Sequence, residues 1–254
     1  MNISGSIKQM ASMKRPVVMI HTGYKDYVRA VVEITAKTNR LFIIGDDTMR
    51  QLASIKNVTF IPIESVTSEN VRECEAVWNR YSSKKWWAGW HTSGMSRAFL
   101  LREFMLNHGL NSVFHIDSDD PLLADVNTYP FRKEIAYCLP KNNNQHGELR
   151  MCGSIHSALL NVEFCDACIQ LFRDVFDNRS KWHLVEKKAR YHEEVSPGSV
   201  FDMTLYYLLA SEKLVDVQNL LEPVDGMVFM NNINLPEGHL HQRQFMMEKG
   251  VIRV

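Results

Sequence analysis

The chain has 254 residues, 45% of them hydrophobic and 23% charged, which is enough to bury one large core, and its 29 basic residues balance its 29 acidic ones. Zero net charge excludes the broad positive field that holds proteins on nucleic acid, so any basic site must be local. No apolar segment reaches the roughly 18 residues needed to span a bilayer, and the opening MNISGSIKQMASMKRP lacks the apolar core of a signal peptide. A cytoplasmic protein is expected, with residues 1–15 a flexible leader and 16–254 a single domain.

Residues 16–21 (PVVMIH) read as a first strand, closed by Thr22 and Gly23. Tyr27, Val28, Val31, Val32 and Ile34 then recur at helical spacing. Residues 41–44 (LFII) predict a second strand ending at Gly45, Asp46 and Asp47, residues 49–55 a short helix, and residues 58–63 (VTFIPI) a third strand. This β-α-β-α-β alternation predicts a parallel sheet covered by helices. Residues 70–81 and 96–108 have helical patterns separated by KKWWAG, and 112–117 make a fourth strand. Beyond it, 136–139 and 151–161 predict strands, KNNNQHGE at 141–148 a polar loop, and 164–176 an amphipathic helix. The charged run 179–198 predicts a mobile lid, and 201–211 an apolar helix led by Asp202. Short strands are expected at 215–217 and 227–230. The five cysteines, odd in number and irregularly spaced, suit a reducing compartment, and Cys165 and Cys168 read as buried thiols.

Chemistry concentrates in SVFHIDSDDP at 112–121, where an apolar strand ends in three acids within four residues. Carboxylates so crowded need a shared proton or a hard divalent cation. If the strand persists through Asp117, then Asp117 and Asp119 fall on one face and can converge, with Ser118 between them and the role of Asp120 open. Arg97, on the helix feeding this strand, is either a surface residue or a fork for phosphate or sugar oxygens. Asp202 either favours the dipole of its own helix or faces substrate. His239 and His241 form an HxH that at strand spacing shares a face, as surface residues or as metal or phosphate contacts. Asp46 and Asp47 follow the second strand, at the same sheet edge as the acids.

With these elements in order, the chain resembles the nucleotide-sugar-dependent glycosyltransferases of the GT-A fold. The resemblance is carried by SRAFLLREFMLNHGLNSVFHIDSDDPLL, by CGSIHSALLNVEF and by GSVFDMTLYYLL, the latter two pointing to the glycogenin and lipopolysaccharide galactosyltransferase-like branch. It implies an α/β fold with a mostly parallel central sheet flanked by helices, a Rossmann-like nucleotide-sugar-binding half over 16–120 and a mixed acceptor-binding half over 121–254. It further implies Mn²⁺ or Mg²⁺ held by Asp117, Asp119 and His241 (or His239), and donor contacts from Thr22, Gly23, Asp46, Arg97, Asp117 and Ser118. Asp202 would lie near the anomeric carbon. The implied activity moves a sugar from a UDP- or GDP-linked donor to a glycan, lipid-linked or protein hydroxyl. The rivals are a haloacid-dehalogenase-type phosphatase, which Pro121 and the three preceding strands disfavour, and a non-catalytic nucleotide-sugar-binding protein.

Overall fold

The computed structural model describes residues 14–82, 88–140, 149–195, 198–225, 229, 246–248 and 251–253. Apolar, β-branched runs form β1 (Val17–Ile20), β2 (Leu41–Gly45), β3 (Val58–Pro62) and β4 (Ser112–Ile116). β5 (Ile135–Cys138), β6 (Ser154–Asn161) and β7 (Val217–Asn219) follow. They make one sheet in the order β3-β2-β1-β4-β6-β5-β7. Only β6 runs against the rest, antiparallel to both β4 and β5. The mostly parallel α/β sheet expected from the alternation is therefore the one observed. A separate hairpin pairs β8 (Met246–Glu248) with β9 (Val251–Arg253).

The helices are α1 (Asp26–Thr35), α2 (Glu69–Ser82), α3 (Ala88–Asn107), α4 (Val162–Phe172), α5 (Glu186–Glu194) and α6 (Asp202–Ser211). Side chains alternate across a strand, so each central strand feeds two cores. Val17, Met19, Leu41, Ile43, Phe114 and Ile116 pack with Val28, Val31 and Val32 of α1. Val18, Phe42, Ile44 and Val113 pack on the other face, with side chains of α2, α3, α4, α5 and α6. Three layers result, with continuous apolar strands in the middle because both faces are covered.

Several boundaries depart from expectation. α3 begins at Ala88, inside the KKWWAG run expected to interrupt it; residues 83–87 lie outside the described residues. The expected strand at 151 starts only at Ser154, because Met151 adopts a left-handed φ of 38°. The charged lid segment carries α5, anchored through buried Val185, Lys188 and Ala189. Lys188 Nζ donates to the Arg150 carbonyl at 2.8 Å, and burial pulls its pKa down to about 8. Tyr27, expected in the α1 core stripe, is 49% exposed. The loop at 141–148, most of the strand expected at 227–230 and both histidines of the HxH lie outside the described residues.

Candidate functional site

The chain runs outward from β1 to β2 and β3, then returns to place β4 on the other side of β1. Such a reversal opens a crevice beyond the carboxyl ends of the two neighbouring strands, where open α/β sheets take ligands. The residues found there are His21, Thr22 and Gly23 after β1, Asp46 after β2, and the acids of 117–120 after β4.

β4 ends at Ile116, and the Asp120 amide bonds back to the Asp117 carbonyl at 3.2 Å, so the acids form a turn rather than an extended strand. This corrects the expectation that Asp117 and Asp119 share a face. The turn sends its three carboxylates three ways. Asp117 has the parity of Val113 and meets α3, where Arg97 Nη1 lies 3.2 Å from its Oδ1. Asp120 accepts a hydrogen bond from Ser157, which stands opposite Ile116 in the β4–β6 ladder. Asp119 is exposed. The chain beyond is pinned to the end of α1: Thr35 Oγ1 accepts from the Leu122 amide at 3.1 Å, and Asn39 from that of Val126 at 3.0 Å.

The electrostatics follow from this placement. Burial alone would raise the Asp117 pKa, but Arg97, with help from His115 and His156, draws it below the usual carboxylate range. Asp120 goes the other way: burial raises it by more than the hydrogen bond from Ser157 and the nearby His156 bring it back, and the charges of Asp117 and Asp119 add a smaller push upward. Burial opposes the charge on Arg97, yet Asp117, Tyr206, Asp202 and Asp119 together keep it firmly cationic. Arg97 thus pairs with Asp117 and also feels the charge of Asp202, the buried first residue of α6. The structure brings these three candidates together.

The other candidates form the opposite wall. Gly23 takes φ 78°, which only glycine adopts freely, and turns its amide onto Asp46 Oδ2 at 3.1 Å. Thr48 Oγ1 donates to Asp46 Oδ1 at 2.5 Å and accepts from the Tyr24 amide at 2.9 Å. Asp46 therefore ties the loops after β1 and β2 together, while Asp47 pairs with exposed Arg50 at 2.7 Å. Thr22 is exposed and Ser118 half-buried. The Tyr27 hydroxyl lies 3.5 Å from Ser118 Oγ, with its ring edge-on to His21 at 6.3 Å. Sequence reasoning missed Tyr27, because helical spacing does not say which side of a three-layer fold is covered. It also missed Ser157, whose place beside the acids depends on the register of β6.

No family model matches this chain, and no curated protein matches it in sequence. Among solved structures its fold is similar to one described as PaToxG Glycosyltransferase, with a TM-score of 0.47 and 12% identity over 82% of this chain and 75% of that one.

Among the described residues, no group of three histidine, cysteine or acidic side chains is gathered as a preformed metal cage. The donor set nevertheless fits a hard cation. Three carboxylates stand within four residues at the turn, and Mg²⁺-type sites commonly take one or two carboxylates with substrate phosphates completing the shell. A cavity of about 410 Å³, lined by Leu139, Ala210, Lys213, Val215, Asp216 and Val217, lies on the β5–β7 side and includes none of these residues. Among the described residues no helix is long and apolar enough to cross a membrane.

Proposed function

We propose that this chain is a metal-dependent glycosyltransferase of GT-A type, moving a sugar from a nucleotide-diphosphate donor, UDP- or GDP-linked, to an acceptor hydroxyl on a glycan, lipid or protein. The observation that carries the reading is the acidic turn at the crevice between β1 and β4, with Arg97 paired to Asp117 and in the field of Asp202.

Each residue has a task that follows from its surroundings. Asp119, exposed at the tip of the turn, and Asp117 beside it would hold Mn²⁺ or Mg²⁺. The cation, when bound, supplies positive charge against the leaving diphosphate. Arg97 adds a fixed cation on the same side, and being already in place it needs no reorganisation as charge develops. The exposed Tyr27 ring offers the nucleobase a stacking surface, and the loops tied by Asp46 shape its pocket together with Thr22, Gly23 and Ser118. Asp202 faces the sugar from across Arg97, as a base toward the acceptor or as a sugar-positioning group. His241 or His239 is the proposed protein ligand from the C-terminal segment.

The test is a thermal-shift screen of UDP-, GDP-, dTDP- and CMP-sugars with and without Mn²⁺. A Mn²⁺-dependent stabilisation by one nucleotide class is expected, together with slow nucleotide release. Asp119→Ala should abolish the Mn²⁺-dependent shift while leaving the unliganded melting temperature unchanged, because the side chain is exposed. An unchanged shift would remove Asp119 from the metal site, and hydrolysis of a generic phosphomonoester would replace the reading with a phosphatase.

A further inference from the structure

Gly94 sits inside the 20-residue helix α3, three positions before Arg97 and on the same face. Glycine is the least favourable helix-interior residue after proline, so its presence asks for a steric reason. A Cβ built there would stand 3.0 Å from Asp202 Oδ2, 3.2 Å from Cγ and 3.4 Å from Oδ1. All three nearest atoms belong to one carboxylate. The space a side chain would fill at 94 is the space the Asp202 carboxylate approaches.

The carboxylate has little freedom to retreat by shifting its helix. On the β6 side, the Gly153 amide donates to the Met203 carbonyl at 2.9 Å. A Cβ at 153 would meet the Tyr207 nitrogen at 2.8 Å and the Tyr206 carbonyl carbon at 2.9 Å, both backbone atoms. The Tyr206 hydroxyl also points to the Gly94 carbonyl, at 3.5 Å. The first turns of α6 are therefore gripped between two glycines, one on α3 and one entering β6.

We propose that Gly94 is a positioning residue: its missing side chain is what admits the Asp202 carboxylate to the face of α3, one turn before Arg97. The contact between that carboxylate and position 94 stands on these distances, whereas its service in turnover rests on the glycosyltransferase reading above. A methyl group at 94 displaces the carboxylate from α3, and a carboxylate carried by residue 94 itself occupies nearly the same place.

Four full-length variants test this: Gly94→Ala, Asp202→Gly, Gly94→Ala with Asp202→Gly, and Gly94→Asp with Asp202→Gly. In the Asp202→Gly background, Gly94→Ala should raise Tm by about 2–4 °C, the gain expected from helix propensity in a chain of this size. In the wild-type background the methyl–carboxylate contact should cancel that gain. An equal gain in both backgrounds overturns the contact whether or not the protein turns over. Nucleotide release from UDP-glucose, or from whichever donor gives the largest Mn²⁺-dependent shift, should fall about tenfold or more in Gly94→Ala, as for other small displacements of a reacting group. The fall should lie in kcat with the donor KM little changed, and Gly94→Asp with Asp202→Gly should recover part of the rate lost in Asp202→Gly. A wild-type rate in Gly94→Ala overturns the positioning role. If the wild-type chain releases nucleotide from no donor, the glycosyltransferase reading fails and the two-background Tm comparison alone decides the placement.

Discussion

At the residue scale, the acidic turn divides three similar side chains into three environments, and their properties diverge accordingly. Asp117 has a cation, Asp120 has a hydroxyl and two like charges, and Asp119 has solvent. Asp120→Asn keeps a partner for Ser157 and removes repulsion from Asp117 and Asp119. It should stabilise the metal-free protein by about 0.5–1 kcal/mol while weakening Mn²⁺ binding, a trade familiar at sites kept tense for function. Urea denaturation and Mn²⁺ titration would show the two opposite changes. His115 is fully buried on β4 beneath Asp117, bonds the Ile155 carbonyl through Nδ1 at 2.6 Å, and leaves Nε2 without a hydrogen-bond partner among the described residues. Burial, with Arg97 nearby, lowers its pKa to about 4 from the ordinary 6.5. The neutral ring is the folded form, so the unfolded chain binds the extra proton between these values. Stability that is whole above pH 6.5 is therefore lost as pH falls toward 4, by about 3 kcal/mol at most. His115→Leu should flatten that part of a stability-against-pH curve; an unaltered slope would assign the acid sensitivity to other groups.

At the element scale, the position of α6 decides whether the site exists. Its sequence, DMTLYYLLAS, is apolar enough to bury wherever it docks, and the dock is set by close backbone approach at Gly153. Gly153→Ala places a methyl against backbone atoms that cannot rotate away. It should cost about 1–3 kcal/mol, the range for overpacking, and it should carry Asp202 with the displaced helix. A lowered urea midpoint together with reduced turnover would show both effects; a neutral substitution would mean that β6 and α6 tolerate separation. β6 matters for a second reason. As the one reversed strand of the sheet it brings Ser157 opposite Ile116, so the partner of Asp120 arrives from 37 residues away.

At the scale of the whole molecule, the balanced charge gives a sequence pI near 7.1. With so little net charge to keep copies apart, solubility should be lowest near pH 7 and rise on either side, which light scattering across pH 5–9 would record. The distribution of charge also matters. Among the described residues the cation at the candidate site is Arg97, paired with Asp117 and in the field of Asp202, so local field and net charge say different things about what the protein binds.

Much of this was legible in the residues. The β-α-β-α-β opening, the strand ending at the acids, the arginine-bearing helix before it and the acid-led apolar helix all follow from apolar periodicity, which is a local property that one stretch of chain fixes for itself. The resemblance to glycosyltransferases rests on that same local order. What periodicity does not encode is which residues meet across sequence separations of tens of residues to about a hundred. Asp202 against Gly94, Ser157 against Asp120 and Tyr27 against Ser118 depend on strand order, on the reversed register of β6 and on how closely two backbones approach. The turn at 117–120 belongs to the same class: the carboxylates were visible, but their separation into buried, paired and exposed was decided by the walls that the folded sheet placed around them.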